Sequence, residues 1–504
     1  MGRRIRYPVA LFAGATTTLA FAPFNYAFFA ILSPALLWWL LREEHSPARA
    51  LMTGWLFGLG FFGAGVSWVY VSIHTYGQAS IPLAAGLTGA FCAALALLFG
   101  AQSWIGARWF RSPATGWLAF TGLWVGFEWL RSWLLTGFPW LYLGYGWTET
   151  PLASLAPIAG VWGLSLISVL LAAGIVEALA RRNLRPLLPG VILALCAWLP
   201  FPAWTQASAP PLQVALVQPN VPQMMKWAPQ ARNRIVSQLV TLSLPHRDAD
   251  MIIWPENAIP AFYYQVAGQL SPLLENSANA RIITGLPSAT KSSNAPGRTL
   301  YHNSLAVLNQ PEQRYHKRRL VPFGEYVPLE AQLRGLIEFF NLPMSSFSLP
   351  EKDTTLLQVG DHRLAPAICY EIAYPELVRD GAREADAILT LSNDTWFGRS
   401  IGPDQHLQMA QMRALENGRW VIRGTNNGIT ALIDESGRIR DRLPVDQTAV
   451  LTGEVQPMTG TTPYQRAGTW PVLGVALLLA LCPLLHRVRT ARKHHSAAAT
   501  GFDL

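Results

Sequence analysis

The sequence predicts a multi-pass α-helical membrane domain of about eight spans joined to an α/β domain. Three observations predict it. Apolar runs of spanning length crowd residues 8–204 and recur once near the C-terminus. Only 14% of residues are charged, against roughly 25% in soluble proteins, so much of the chain must meet lipid. Between the last two apolar runs lies a long polar stretch in which short β-branched segments alternate with helical patterns.

The apolar runs fall near 8–22, 25–42, 51–73, 81–105, 115–135, 153–180, 187–204 and 470–486. The first follows Arg3, Arg4 and Arg6 and reads as a retained anchor. Further apolar runs follow it at once, and no clean small-residue cleavage site appears. The 20 Trp and 22 Phe suit a chain at the bilayer interface. The connections alternate in charge. Arg42 and Arg49, Arg108 and Arg111, Arg181, Arg182 and Arg185, and Arg487, Arg489, Arg492 and Lys493 mark one side, while 74–80 and 136–150 carry no Lys or Arg. The positive-inside rule then places both termini in the cytoplasm, and an even number of spans satisfies that parity. The chain divides into 1–204 with seven helices, 205–469 facing the periplasm of a Gram-negative cell, and 470–504 with the eighth helix and a basic tail. These Arg clusters account for the net charge of +9 without a nucleic-acid partner.

Of the four cysteines, Cys92, Cys196 and Cys482 lie in apolar runs and only Cys369 lies in the polar domain. A disulfide framework needs pairs in one compartment, so none is expected. Cys369 is either a small buried hydrophobe or a reactive thiol.

The polar domain begins after Ala209-Pro210-Pro211. Strand-like runs are Leu212–Val217, Met251–Trp254, Arg281–Gly285, Ser304–Leu308, Leu364–Cys369, Ala387–Leu391, Val421–Gly424, Thr430–Ile433 and Val450–Val455, with helical patterns at 229–244, 374–383 and 404–418. Several strand ends carry reactive residues: Trp254-Pro255-Glu256, Tyr315-His316-Lys317 and Ile368-Cys369-Tyr370-Glu371. A parallel sheet gathers such ends at one edge. There a thiolate attacks carbonyls well, a carboxylate takes and returns its proton, and an ammonium lowers the thiol pKa and steadies an oxyanion. Each residue also has an ordinary alternative. Glu256 suits a surface carboxylate, Lys317 a solvated run with Arg318 and Arg319, and Cys369 a core position.

Other features carry two readings. Leu336–Met344 is apolar, with Asn341 and Pro343 inside it, and reads as an arm dipping into the interface or as a buried loop. Phe138–Trp147 reads as an interfacial aromatic belt or as the floor of a lipid path beneath Cys369. Glu128 and Arg131 share a helical face, as a structural pair or a headgroup contact. Asp404 and His406 lack a second His or Cys at ligand spacing, so no metal site is expected and His406 is given no role. No glycine-rich phosphate loop appears, so no nucleotide cofactor is expected.

The reactive strand ends also carry a family pattern. Trp254-Pro255-Glu256, Lys317 and Cys369-Tyr370-Glu371 resemble the Glu–Lys–Cys signature of the nitrilase superfamily. With Leu320–Pro328, Ser392–Gly398, Phe127–Arg131 and the apolar runs, the chain up to about residue 488 resembles the apolipoprotein N-acyltransferase family. The resemblance implies a four-layer αββα domain on an eight-helix base and a ping-pong reaction without cofactor. Cys369 takes the sn-1 acyl chain of a phospholipid, typically phosphatidylethanolamine, as a thioester. The amine of diacylglyceryl-cysteine on an apolipoprotein then accepts it. The resemblance further implies Glu256 as general base and Lys317 as oxyanion-stabilising cation. Glu325 and Glu371 support Lys317, Tyr370 shapes the turn and lends its amide, and Trp227 and Trp396 border the substrate. A membrane-tethered amidase cleaving a C–N bond is the alternative. A transporter or scaffold with a dead domain is a third, against which intact Glu256, Lys317 and Cys369 argue.

Overall fold

The computed structural model describes residues 3–277, 279–326 and 346–499. The apolar stretch Leu336–Met344 lies outside them, as do Val327 and Pro328. The chain forms two compact units. One comprises Met1–Ser67, Ala85–Pro200 and Ala467–Leu504, and the other Trp68–Ala84 and Phe201–Arg466.

The first unit is helical. Each apolar run of the sequence overlaps a helix: Arg3–Thr16, Phe29–Leu41, Pro47–Gly65, Ile81–Trp109, Gly116–Arg131, Ala156–Arg181, Leu188–Leu195 and Trp470–Ala499. Among the described residues, three helical stretches are long and apolar enough to cross a membrane: Ile81–Trp109, Pro151–Arg181 and Trp470–Val488. Counting Pro47–Gly65 with Val69–Tyr76 as one broken span makes four. Phe29–Leu41 has 13 residues and Leu188–Leu195 has 8, both short of the ~20 that a straight crossing takes.

Small residues let these helices approach closely. A β-carbon at Gly14 would overlap the Phe57 carbonyl, and one at Gly122 would overlap that of Ala476. Glu128 and Arg131 both grip the aromatic loop. Glu128 accepts from the Leu143 N–H at 3.0 Å, Arg131 donates to the Leu141 carbonyl at 3.4 Å, and its guanidinium lies 5.2 Å from the Tyr142 ring centre. Trp140, Tyr142, Tyr145 and Trp147 are buried among protein side chains. They are core of this unit, where the sequence suggested an interfacial belt.

The second unit is a sandwich of two six-stranded sheets. In the first, the order is β13 (Ala449–Val455), β2 (Leu212–Gln218), β3 (Met251–Ile253), β4 (Arg281–Lys291), β5 (Thr299–Val307), β6 (Gln310–His316). In the second it is β12 (Ile439–Arg442), β11 (Ala431–Ile433), β10 (Val421–Thr425), β9 (Ala387–Ser392), β8 (His362–Ile368), β7 (Leu357–Val359). A separate pair joins β1 (Thr205–Ala207) to β14 (Met458–Gly460). Neighbours β2, β3 and β4 run parallel, as do β8, β9 and β10.

Period-two alternation builds the layers. Val214, Leu216, Ile253, Leu305, Leu364, Leu389, Leu391 and Ile422 fill the space between the sheets. The residues between them face outward. Ala215, Val217 and Ile252 pack on helices Arg232–Ser243 and Ala267–Asn276. Ala365, Ile388 and Val421 pack with Val378 of helix Pro375–Ala382 and with Leu407 and Ala410 of helix Gly402–Asn417. The result is the αββα order that the resemblance implies.

Candidate active site

The parallel strands of both sheets end on one rim, and the reactive residues follow those ends. Glu256 comes three residues after β3, Lys317 directly after β6, Cys369 directly after β8, and Asn393 directly after β9.

Glu256 is 5% exposed and fully partnered. Its Oε1 accepts from the Asn303 amide at 2.7 Å and from Lys317 Nζ at 3.4 Å, while its Oε2 accepts from the Asn393 N–H at 3.0 Å. Gly285 on β4 makes this placement possible. Its N–H donates to the Pro255 carbonyl at 3.2 Å. A β-carbon there would stand 2.7 Å from Glu256 Cα and would overlap the Asn257 nitrogen. The obstacle is backbone, so the Glu256 loop must move to admit a side chain. Gly285→Ala is therefore expected to lower kcat by about 10²-fold, the usual cost of a misplaced reacting group, with little change in expression. Steady-state rates of purified protein check this.

Lys317 is 1% exposed and lies between two carboxylates. Its Nζ stands 2.9 Å from Glu325 and 3.4 Å from Glu256. Burial alone would favour the neutral amine. The charges of Glu325 and Glu256 outweigh it and hold the ammonium well above its ordinary pKa. Asn303 donates through one Nδ2 to both carboxylates, at 2.7 Å each, and so fixes their spacing. Glu325 Oε2 also accepts from the Val321 N–H at 2.8 Å.

Cys369 sits at a left-handed corner, φ +52°, a conformation that strains a residue bearing a β-carbon. Three contacts hold the corner. The Ile368 N–H donates to Glu371 Oε2 at 2.8 Å, the Tyr374 N–H to the Glu371 carbonyl at 3.0 Å, and His406 Nε2 meets the Cys369 carbonyl at 3.0 Å. Burial, then the charge of Glu256, push the thiol well above its ordinary pKa, against the pull of Lys317. The residue keeps partial exposure. The resting sulfur is thus a thiol beside a carboxylate and an ammonium, poised to lose its proton as it attacks.

His406, left without a role by its spacing, belongs to this corner. Burial first, then the charge of Arg423, lower its pKa against the pull of Asp394. Its Nδ1 lies 3.0 Å from Asp394 Oδ1 and 3.1 Å from Arg423 Nη2, while Nε2 faces the Cys369 carbonyl. Asp394, ion-paired with Arg423 at 2.6 Å, completes the buried group.

Glu371 differs from expectation. It is fully buried and accepts from the N–H groups of Arg318 and Arg319 at 2.6 and 3.0 Å and from the Tyr315 hydroxyl at 2.9 Å. It clamps the Lys317 segment to the Cys369 turn through backbone, while Glu325 and Glu256 make the ion pairs with Lys317. Tyr370 is buried, its ring edge-on to Tyr374 at 5.3 Å. Trp227 caps the short helix Gln223–Lys226, and Trp396 lies in the turn after Asn393. Among the described residues neither indole bonds the Glu256–Lys317 cluster.

Three further contributors escaped the sequence reading. Asn303 is a neutral residue inside a strand. Lys226, 2% exposed, donates from Nζ to the Glu256 carbonyl at 3.0 Å. Segment Trp68–Ala84 reads as apolar span and loop, yet its Ser72 hydroxyl donates to the Trp396 carbonyl at 2.8 Å. Its Trp68 meets Phe397 edge-on at 4.7 Å, and Tyr76 meets the Trp396 ring at 5.6 Å.

Comparison with known proteins agrees with this geometry. A model of the apolipoprotein N-acyltransferase N-terminal domain matches residues 13–174, and a carbon-nitrogen hydrolase model matches residues 213–464. An apolipoprotein N-acyltransferase of Pseudomonas syringae pv. tomato is 48% identical over 482 residues, covering 94% of this chain and 95% of its own. One of Pseudomonas aeruginosa is 47% identical over 491 residues, covering 95% of each. One of Methylococcus capsulatus is 40% identical over 503 residues, covering 97% of this chain and 98% of its own. At that identity and coverage, the chain belongs to the apolipoprotein N-acyltransferase family.

Proposed function

We propose that the chain moves the sn-1 acyl chain of a phospholipid, phosphatidylethanolamine foremost, onto the N-terminal amine of diacylglyceryl-cysteine in apolipoproteins, through a thioester on Cys369. The observation that carries the mechanism is the Asn303-bridged pair of carboxylates around Lys317, beside a raised thiol. Glu256 takes the thiol proton as sulfur attacks the ester carbonyl. Lys317, held charged, stabilises the oxyanion. Glu256 then returns the proton to the departing lysophospholipid oxygen. In the second half the acceptor amine attacks the thioester, and sulfur leaves.

Exposed apolar side chains flank this machinery: Met224 and Met225 beside Lys226, Phe323 beside Glu325, and Tyr264 and Tyr301 around Phe262. Such exposure fits a lipid substrate. Trp227 and Trp396 are proposed to border it. We further propose the eight-span topology, with 1–204 carrying seven spans, 205–469 in the periplasm, 470–504 carrying the eighth, and both termini cytoplasmic. The alternating Arg clusters support this orientation, and an inner-membrane location follows the family.

The test supplies purified protein with labelled phosphatidylethanolamine and a diacylated lipopeptide. Equal amounts of N-acylated lipopeptide and lysophospholipid are expected. Fatty acid released to water, with hydrolysis of simple amides and no N-acylated product, would establish the amidase instead.

A further inference from the structure

We infer that Lys226 accepts the surplus proton of the second half-reaction, freeing the acceptor amine to attack the Cys369 thioester. The inference rests on the proposed reaction, whose proton balance demands such a group. In the first half, thiol and ester give thioester and alcohol, and no proton is left over. In the second, thioester and ammonium give amide, thiol and one proton. Two protons leave nitrogen as the carbon–nitrogen bond forms and the carbon–sulfur bond breaks. One returns to sulfur through Glu256. The other needs an acceptor before attack, because an ammonium has no lone pair.

The site offers few places for it. Lys317 is kept protonated by Glu325 and Glu256, and Glu256 carries the proton bound for sulfur. Glu371 is already engaged, accepting from three backbone amides and a phenol. Lys226 is different. It is nine-tenths buried or more, and its Nζ donates to a neutral carbonyl. Among the described residues no carboxylate stands within ion-pair distance of it. The charged or titratable groups that act on it are Glu256, after β3, and Cys369, after β8.

A buried ammonium without a counter-ion sheds its proton readily. Burial lowers the Lys226 pKa to about 8, against the opposing charges of Glu256 and Cys369. An α-amine titrates near 7.7–8.0, so transfer between the two is close to balanced. Lys226 ends the short helix Gln223–Lys226, and it gives up the proton to solvent before the next cycle.

Single-turnover measurements separate this role from a structural one. Thioester formation and its consumption by a diacylated lipopeptide are timed separately in Lys226→Met, Lys226→Arg and the parent protein. Arginine keeps a donor for the Glu256 carbonyl but does not deprotonate. Both variants are expected to slow thioester consumption at pH 7 by up to about tenfold, the ratio of protonated to free α-amine there, and more than they slow thioester formation. The deficit is expected to close as pH rises through the amine's own range near 8. Parent-like consumption in Lys226→Arg would overturn the inference. So would equal slowing of both halves in Lys226→Met with no recovery at higher pH. A parent protein that forms no thioester would instead overturn the underlying reaction.

Discussion

Cys369→Ser is expected to fold as the parent does and to lose turnover by roughly 10³-fold or more. The swap is nearly isosteric. It leaves the left-handed corner, the Glu371 clamp and the His406 contact in place. What changes is acidity. Glu256 takes a thiol proton during attack, but a hydroxyl is a far weaker acid, and a carboxylate is a poorly matched base for it. Thermal unfolding in detergent checks the fold, and N-acylation of lipopeptide checks the rate. Turnover within tenfold of the parent would show that sulfur is not the attacking atom.

Lys317→Met is expected to cost both activity and stability. Removing the ammonium leaves Glu256 and Glu325 buried, at 5% exposure each, with no cation between them. Breaking a buried pair from one side typically costs about 3–5 kcal/mol. Adding Glu325→Gln removes one of the stranded charges. The double variant is expected to recover much of the stability and none of the turnover, since no cation faces the oxyanion. A double variant that regains turnover would mean that Lys317 serves only to neutralise its neighbours.

The sequence showed the layers of the α/β unit because its strands are short, β-branched and separated by helical patterns. It marked only the end of β6, at Tyr315-His316-Lys317, since Gln310–His316 is largely polar at a sheet edge. It missed β7, β12 and the β1–β14 pair, each only three or four residues a strand. The reactive residues stood out because strand ends converge. Their supports did not. Asn303 sits mid-strand with no charge to mark it. Lys226 lay one residue from Trp227, but its burial beside Glu256 depends on the fold. His406 was judged by ligand spacing, whereas its work is to hold one carbonyl. Glu371 looked like a partner for Lys317 because a sequence gives charge without direction; folding aims it at backbone amides. Composition also hid the division of Trp68–Ala84, whose apolar residues pack on the Trp396 turn.

The central claim is that an acyl group rests on one sulfur between two half-reactions. Mass analysis of the peptide bearing Cys369, after incubation with phosphatidylethanolamine and an acid quench, tests it directly. The account predicts a peptide heavier by one acyl chain, cleared by hydroxylamine and by the acceptor lipopeptide. An unmodified Cys369 peptide in protein that is accumulating N-acylated product would contradict it.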